Sequence, residues 1–128
     1  MNNFKELAIL IVEDNEIALE VLSEMIKAIN HTVDMARTGE EALSMASEKR
    51  YDLIFMDIGL PDIDGIDVTA KIRASESIKS QQAVIIGATS CDVDDVHQDC
   101  MSAGMNKVVH KPIPFAHLLY FINQCRKN

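Results

Sequence analysis

The stretch Tyr51-Asp52-Leu53-Ile54-Phe55-Met56-Asp57-Ile58-Gly59-Leu60-Pro61-Asp62 decides the fold of this chain. Its four apolar residues, Leu53 to Met56, lie between turn-forming residues and predict a short strand that is buried on both faces. The apolar run ends at Asp57, and a loop rich in proline, glycine and aspartate follows. Asp57 is therefore expected where the strand leaves the core. In an open α/β sheet, ligands bind at the carboxyl ends of the strands.

The length and composition fit one domain with a core of its own. The chain has 128 residues, of which 48% are hydrophobic, and single domains most often contain about 100–150 residues. Its 20 acidic and 12 basic residues give a net charge of −8. A surface of that sign repels nucleic acid and anionic lipid, so we expect no direct contact with DNA, RNA or a membrane.

The sequence also predicts a soluble protein of the cytoplasm. No apolar run approaches the ~20 residues that a membrane-spanning helix needs, and the start, Met1 to Glu6, does not resemble a signal peptide. The three cysteines, Cys91, Cys100 and Cys125, are odd in number and show no C-x-x-C spacing. The odd number and the lack of this spacing argue against a disulfide framework or a zinc site and favour a reducing compartment.

Strand and helix patterns alternate along the chain. Apolar runs predict strands at residues 7–12, 32–36, 53–56, 83–86 and 107–110, and the segments after them predict five helices. Five βα units imply a parallel sheet with right-handed crossovers and helices on both faces. We therefore expect an α/β protein, a flavodoxin-like, doubly wound (βα)5 three-layer sandwich with strand order 2-1-3-4-5.

Capping residues mark the starts of the first two predicted helices. Asn15 is a suitable N-cap for the first helix, and Asn30-His31 ends it. Apolar residues between these points recur at helical spacing and predict an amphipathic helix: Ile17, Ala18, Val21, Leu22, Met25, Ile26 and Ile29. At the second helix, Thr38 and Glu41 have the spacing of a capping box.

Four of the five predicted strands end in a reactive polar residue. Glu13 and Asp14 follow the first strand, Asp57 the third, Thr89 the fourth and Lys111 the fifth. The predicted strand order places the first strand beside the third, so the three carboxylates meet in one crevice. Crowded carboxylates repel one another, which raises their pKa values unless a cation lies between them. Mg²⁺ prefers such oxygen ligands, and we expect it here.

These residue types suit the uptake of a phosphoryl group. An aspartate carboxylate can act as the nucleophile that forms an aspartyl phosphate. A metal ion and the Lys111 ammonium would neutralise charge on the phosphoryl oxygens in the transition state. Any one of these residues could be a helix cap or a surface charge, but four strand ends together favour a functional site. Asp62 and Asp64 are more simply interpreted as loop and helix-start acids.

Five motifs in the chain resemble those of the receiver domain of bacterial two-component response regulators. They are Ile11-Val12-Glu13-Asp14-Asn15; Met56-Asp57 with Leu60-Pro61-Asp62 and Asp64-Gly65; Ala88-Thr89; Gly104-Met105-Asn106; and Lys111-Pro112-Ile113. The resemblance covers the whole chain and implies a single receiver domain over residues 1–128. The last two motifs are most similar to those of receivers in hybrid histidine kinases.

The resemblance implies a Mg²⁺ site around a phosphoacceptor. Asp57 matches the phosphoacceptor, Asp14 the direct metal ligand and Glu13 an outer acid that acts largely through water. The backbone carbonyl of Gly59 matches a further ligand. In the family, the side chains at the positions of Gly59 and Cys91 tune the access of water to the phosphoryl group. Because glycine offers no side-chain shield, we expect a phosphoryl group of moderate lifetime.

The resemblance also implies how the phosphoryl group is sensed. Thr89 matches the switch hydroxyl, and Lys111 matches the lysine that pairs with the phosphoryl group. The bond between Lys111 and Pro112 matches one that is usually cis in the family. The family's switch position, usually tyrosine or phenylalanine, is Val108 here. We therefore expect the output change to run mainly through Thr89 and the fourth helix.

We expect this chain to act in phosphorelay signalling, as a phosphoacceptor domain that assists its own phosphorylation and dephosphorylation and not as an enzyme. The resemblance implies that a histidine kinase or a histidine-phosphotransfer domain donates the phosphoryl group to Asp57. It also implies that phosphorylation switches the face formed by the fourth helix, fifth strand and fifth helix. A downstream protein or a second copy of the chain would bind there.

Two other classes of protein stay open at this point. A phosphatase or phosphotransferase of the haloacid-dehalogenase type would use Asp14 as its nucleophile, but Asp14-Asn15-Glu16 only approximates the required D-x-D. A flavodoxin-like FMN binder would need a loop rich in serine, threonine or glycine after the first strand. The acidic pair Glu13-Asp14 stands there instead and would repel a phosphate without a metal.

Overall fold

The computed structural model describes residues 6–29 and 31–127, in which five strands alternate with five helices. The strands are β1 (Ala8–Val12), β2 (Thr32–Ala36), β3 (Leu53–Asp57), β4 (Val84–Thr89) and β5 (Lys107–His110). The helices are α1 (Glu16–Ala28), α2 (Gly39–Glu48), α3 (Gly65–Arg73), α4 (Val93–Ala103) and α5 (Phe115–Arg126). The predictions about the first five residues and Asn30 lie outside the described residues. No helix within the described ranges has the length and apolar character to cross a membrane.

The five strands form one parallel sheet in the order β2-β1-β3-β4-β5. This order confirms the predicted doubly wound, flavodoxin-like α/β fold. The first strand therefore lies between the second and the third, and Val12 at its end pairs with Met56. On the other side of β3, Asp57 pairs with Ala88. The carboxyl ends of β1, β3 and β4 consequently meet at one edge of the sheet.

Alternate residues of the central strands fill two separate core layers. Leu10 and Val12 of β1 face the layer under α2, α3 and α4, whereas Ile9 and Ile11 face the layer under α1 and α5. The same alternation holds in β3, whose five residues are all buried. A strand that is covered on both faces must be apolar throughout, which explains the uninterrupted hydrophobic runs in the sequence.

Polar side chains start four of the helices. The Asn15 side chain accepts a hydrogen bond from the Ala18 N–H at 2.9 Å, and Thr38 accepts one from the Glu41 N–H at 3.1 Å. Asp64 and Asp92 cap α3 and α4 in the same way. The capping box at α2 is only half formed, because the Glu41 side chain accepts from the Arg37 N–H at 3.2 Å and not from that of Thr38.

The buried face of α1 differs from the predicted one. Leu19, Ser23 and Ile26 are buried, whereas Ile17 is 75% exposed and Val21 is 49% exposed. Apolar residues cover more than half of the circumference of this helix, so helical spacing alone did not determine which of them face the sheet. Two large apolar side chains are therefore left on the surface of α1.

Arg73 joins the end of α3 to the segments that precede β4 and β5. Its guanidinium donates to the carbonyls of Gly104 at 3.0 Å and Gln81 at 2.6 Å, and to Asn106 Oδ1 at 3.0 Å. Asn106 Oδ1 also accepts from the Ile85 N–H of β4 at 2.8 Å. Gly104 ends α4 with a φ of 111°, a left-handed conformation that favours glycine.

We expect Gly104→Ala to destabilise the fold, because a side chain at this left-handed position costs about 1–2 kcal/mol. A Cβ at residue 104 would also lie 2.6 Å from Arg73 Cγ, which is too close for the Arg73 side chain to keep its position. Urea unfolding followed by circular dichroism measures the loss. Ser102→Ala, an exposed change in the last turn of the same helix, is the control; equal midpoints for the two variants would contradict the prediction.

Candidate functional site

Three carboxylates come together where β1 and β3 end. Glu13 and Asp14 directly follow β1, and Asp57 is the last residue of β3. The Glu13 N–H donates to the carbonyl of Ala36 at 3.0 Å, which fixes the chain as it leaves β1. One carboxylate oxygen from each of the three acids lies within 4.8 Å of the others. Glu13 and Asp57 are buried, and Asp14 is exposed to solvent.

Lys111 connects two of these carboxylates. Its Nζ lies 3.0 Å from Glu13 Oε1 and 3.2 Å from Asp57 Oδ1. The Lys111 N–H donates to the carbonyl of Thr89 at 2.7 Å, so the backbone that carries the lysine is held against the end of β4. The bond between Lys111 and Pro112 is cis, as the resemblance implied. Lys111 therefore brings a positive charge directly to the acidic group.

Thr89 lies at the end of β4, beside Asp57. The Ile58 N–H donates to the Ala88 carbonyl at 3.0 Å, so the chain after Asp57 still runs along the end of β4. Thr89 itself is buried, and its Oγ1 accepts a hydrogen bond from the Cys91 N–H at 3.0 Å. The hydroxyl keeps its own proton available for another acceptor, because it acts as the acceptor in this bond.

The environment of Asp57 disfavours its charge. Its side chain is buried, and burial together with the neighbouring Glu13 charge raises the pKa of Asp57 to about 6. The Lys111 ammonium and the Gly59 N–H, which donates to Asp57 Oδ1 at 3.1 Å, oppose that rise. Burial alone would lower the pKa of Lys111, but its contacts with Glu13 and Asp57 outweigh burial and raise it.

This group of residues fits a hard divalent cation. Glu13, Asp14 and Asp57 supply oxygen atoms at a common point, and the single ammonium of Lys111 leaves negative charge in excess. Oxygen ligands and excess negative charge are what Mg²⁺ requires, and it commonly keeps several waters besides one or two carboxylates. Gly59 lies beside the same group, since a Cβ built on it would be 4.0 Å from Asp57 Oδ1.

A cleft of about 450 Å³ leads from the carboxylates along α1. Glu13, Asp57 and Lys111 line one end, and most of the other lining side chains are apolar, among them Ile17, Ala18, Val21, Leu22, Met25 and Ile113. We call this apolar part the α1 groove. The sequence analysis missed it. The available signal was that Ile17 and Val21 extend the apolar residues of α1 beyond the width of one buried face.

The sequence analysis also missed the structural role of Asp62. Its two carboxylate oxygens accept hydrogen bonds from the Gly39 N–H at 2.7 Å and the Glu40 N–H at 2.9 Å. The hydrogen bonds from Glu40 and Gly39 lower the pKa of Asp62. This exposed loop acid therefore binds the first turn of α2, which lies more than twenty residues earlier in the chain. No local sequence signal links residues so far apart.

Comparisons with known proteins agree with this geometry. Residues 9–123 match the family described as the response regulator receiver domain. The chain is 38% identical over 124 residues to hybrid signal transduction histidine kinase L of Dictyostelium discoideum, covering 94% of this chain and 7% of that kinase. It is 31% identical over 106 residues to the polar-differentiation response regulator DivK of Brucella anthropi, covering 83% of this chain and 85% of DivK.

A solved structure shows the same fold. It is the receiver domain of the sensor histidine kinase PA1611 from Pseudomonas aeruginosa PAO1, with a magnesium ion coordinated in its active site cleft. The TM-score is 0.86 at 31% sequence identity, over 97% of this chain and 100% of that one. None of these findings supports the haloacid-dehalogenase alternative with Asp14 as the nucleophile. The chain belongs to the receiver domain family of response regulators, whose members occur in free regulators and in hybrid histidine kinases.

Proposed function

We propose that residues 1–128 act as one receiver domain that accepts a phosphoryl group on Asp57. The observation that supports this assignment most directly is the contact of Asp57 with Lys111 at 3.2 Å inside a group of three carboxylates. A buried aspartate with an ammonium on one side and space for a metal on the other is equipped for phosphoryl transfer. The phosphoryl donor we propose is a phosphohistidine of a histidine kinase or of a histidine-phosphotransfer domain.

The geometry suggests which atoms react. Asp57 Oδ1 is held by Lys111 and by the Gly59 N–H, so we assign the attack on phosphorus to Oδ2. A bond forms between Oδ2 and phosphorus while the bond from phosphorus to the histidine nitrogen breaks, and the nitrogen keeps the electron pair. Hydrolysis later returns the carboxylate and releases inorganic phosphate. The chain thus assists its own phosphorylation and dephosphorylation, and we do not propose it as an enzyme with turnover on other substrates.

Each surrounding residue has a defined part in this proposal. Lys111 would pair with a phosphoryl oxygen, and the Thr89 hydroxyl would donate a hydrogen bond to another. Mg²⁺ held by Glu13, Asp14, Asp57 and the Gly59 carbonyl would neutralise negative charge on the phosphoryl oxygens. Since the repulsion between Glu13 and Asp57 contributes to the raised pKa of Asp57, a bound cation also favours its ionised, nucleophilic form.

The α1 groove is the surface that we propose for the phosphoryl donor. A donor must bring its phosphohistidine to Asp57, and the same cleft that reaches Asp57 continues into the groove. Ile17 and Val21 are exposed there although they are large and apolar. An amphipathic helix next to the donor histidine would cover them, in the way that helices bind apolar grooves.

The output surface that we propose is the face formed by α4, β5 and α5. Thr89 is joined to this face because its carbonyl accepts from Lys111 after β5 and its hydroxyl accepts from Cys91 before α4. The residue at the family's switch position is Val108, which is buried in β5. Because it is valine, this position has no aromatic side chain that could rotate outward. The bound partner would be a downstream protein or a second copy of the chain, and we propose no direct contact with nucleic acid.

The compartment that we propose is the cytoplasm. None of the three cysteines is in a disulfide, although Cys91 is exposed. Exposed thiols persist in reducing compartments.

Incubation with acetyl phosphate and Mg²⁺ should add one phosphoryl group to each chain. Intact-mass spectrometry should show an increase that base treatment removes, since acyl phosphates are labile to base. Asp57→Asn should abolish the adduct because asparagine cannot act as the nucleophile, and EDTA should abolish it because the metal is removed. A phosphoryl group that persists in Asp57→Asn, or continued turnover of a phosphate ester, would refute the proposal.

The raised pKa of Asp57 predicts how stability depends on pH. Because the folded pKa is about 6 and the ordinary value is 3.8, the fold loses stability as the pH rises from about 4 to about 6, and the full loss is present above that interval. Without metal, Asp57→Asn should be more stable than the wild type at pH 7.5 by about 1–3 kcal/mol. Urea unfolding in EDTA should show this gap closing as the pH falls to 4. A gap that stays constant would contradict the assigned pKa.

Acidic substitutions in the α1 groove should slow phosphotransfer from a protein donor and leave phosphorylation by acetyl phosphate unchanged. Ile17→Glu and Val21→Glu should each slow phosphotransfer from a histidine-phosphotransfer domain at least about tenfold, as expected for central apolar contacts of an interface. Phosphorylation by acetyl phosphate should not change. Met101→Glu places the same charge at an exposed position of α4 and is the control. Equal slowing by the control, or none by either groove variant, would exclude the groove as the docking surface.

A further inference from the structure

The loop between β3 and α3 is held at three points. The Gly65 N–H donates to the Ile58 carbonyl at 2.9 Å, which closes the base of the loop. The Gly59 N–H donates to Asp57 Oδ1 at 3.1 Å. Between these points, Asp62 extends from the loop and accepts two hydrogen bonds from the start of α2. The loop that carries Gly59 is therefore attached to a helix outside its own βα unit.

The contact between the loop and α2 is close as well as polar. A Cβ built on Gly39 would lie 3.0 Å from Ile63 Cβ in the loop and 2.8 Å from Val68 Cγ2 in α3, so a glycine allows α2 to begin this near both. Both N–H groups that bind Asp62 belong to the first turn of α2, where the helix dipole favours a negative charge. A rigid helix end thereby fixes the position of the carboxylate.

Thr38 already caps α2 through the Glu41 N–H. Asp62 binds the two preceding N–H groups, so the two caps do not compete for a donor. Asp62 differs from Thr38 because it joins the helix to a distant segment. That segment starts at Asp57 and includes Gly59, a residue with high conformational freedom and no side chain to hold it in place.

We propose that Asp62 is a positioning residue for the metal site. It holds the β3–α3 loop on α2. The loop in turn keeps Gly59, whose carbonyl is a proposed ligand of the cation, beside Asp57. This inference rests on the proposed function, since it assumes that the carboxylate group takes up Mg²⁺. Asp62 is not among the residues that would hold the metal, so its effect would pass through the backbone of the loop.

The test is the Mg²⁺ affinity of Asp62→Ala, measured by isothermal titration calorimetry on the full chain without any phosphoryl donor. We expect affinity to fall on the order of tenfold, the lower end of what outer-shell partners contribute. Thr38→Ala is the matched control, because it removes a cap from the same helix without releasing the loop. The metal-free melting temperature should fall in both variants, and affinity should fall only in Asp62→Ala.

Two further variants separate positioning from charge. Asp62→Asn keeps an oxygen that can accept one of the two hydrogen bonds, so it should restore part of the lost affinity. Glu40→Gln removes an exposed negative charge from the same region and should leave affinity unchanged. Should Asp62→Ala fail to fold, Asp62→Asn still decides the matter, because an affinity equal to that of the wild type in spite of a lowered melting temperature would overturn the proposal.

The remaining outcomes are equally distinct. If Asp62→Ala and Thr38→Ala both melt earlier and both bind Mg²⁺ like the wild type, Asp62 is only a helix cap and the proposal is wrong. If Glu40→Gln weakens binding as much as Asp62→Ala, the effect is one of charge and the proposal is wrong again. A wild-type chain that binds no Mg²⁺ would instead overturn the proposed function, and this inference with it.

Discussion

The repulsion between carboxylates at the ends of two adjacent strands is the interaction on which the rest of this site depends. The sheet order forces Glu13 and Asp57 into the same crevice, where burial leaves little water to stabilise their charges. Lys111 compensates for only part of that charge. The site therefore keeps an excess of negative charge, which a divalent cation can neutralise. Burial first, and the neighbouring Glu13 charge second, raise the pKa of Asp57 to about 6.

Elements and strand order could be predicted from the sequence because each local signal has a local cause. Buried strands need continuous apolar runs, and Asn15, Thr38 and Asp64 mark helix starts by binding N–H groups two or three residues away. The polar residues at strand ends followed from the same reasoning, since a parallel sheet collects them at one edge. Sequence and topology together thus located the candidate site.

What the sequence could not supply were contacts between distant segments and the orientation of one helix. Asp62 looks like any loop acid until the start of α2 is placed beside it. Arg73 looks like a surface residue until the two segments that precede β4 and β5 are placed around its guanidinium. In α1, apolar residues occupy too much of the circumference for periodicity to select the buried face, so the exposure of Ile17 and Val21 depended on tertiary packing.

The bonds of Arg73 also constrain how α4 can move. They hold the Gly104 end of this helix to α3 and to the segment before β4, at the edge of the sheet opposite Asp57. The other end of α4 begins next to Thr89 and has no comparable link among the described side chains. A displacement that starts at Thr89 would therefore tilt α4 about a fixed C-terminal pivot instead of sliding it along the sheet. The largest movement would occur in its acidic first turn.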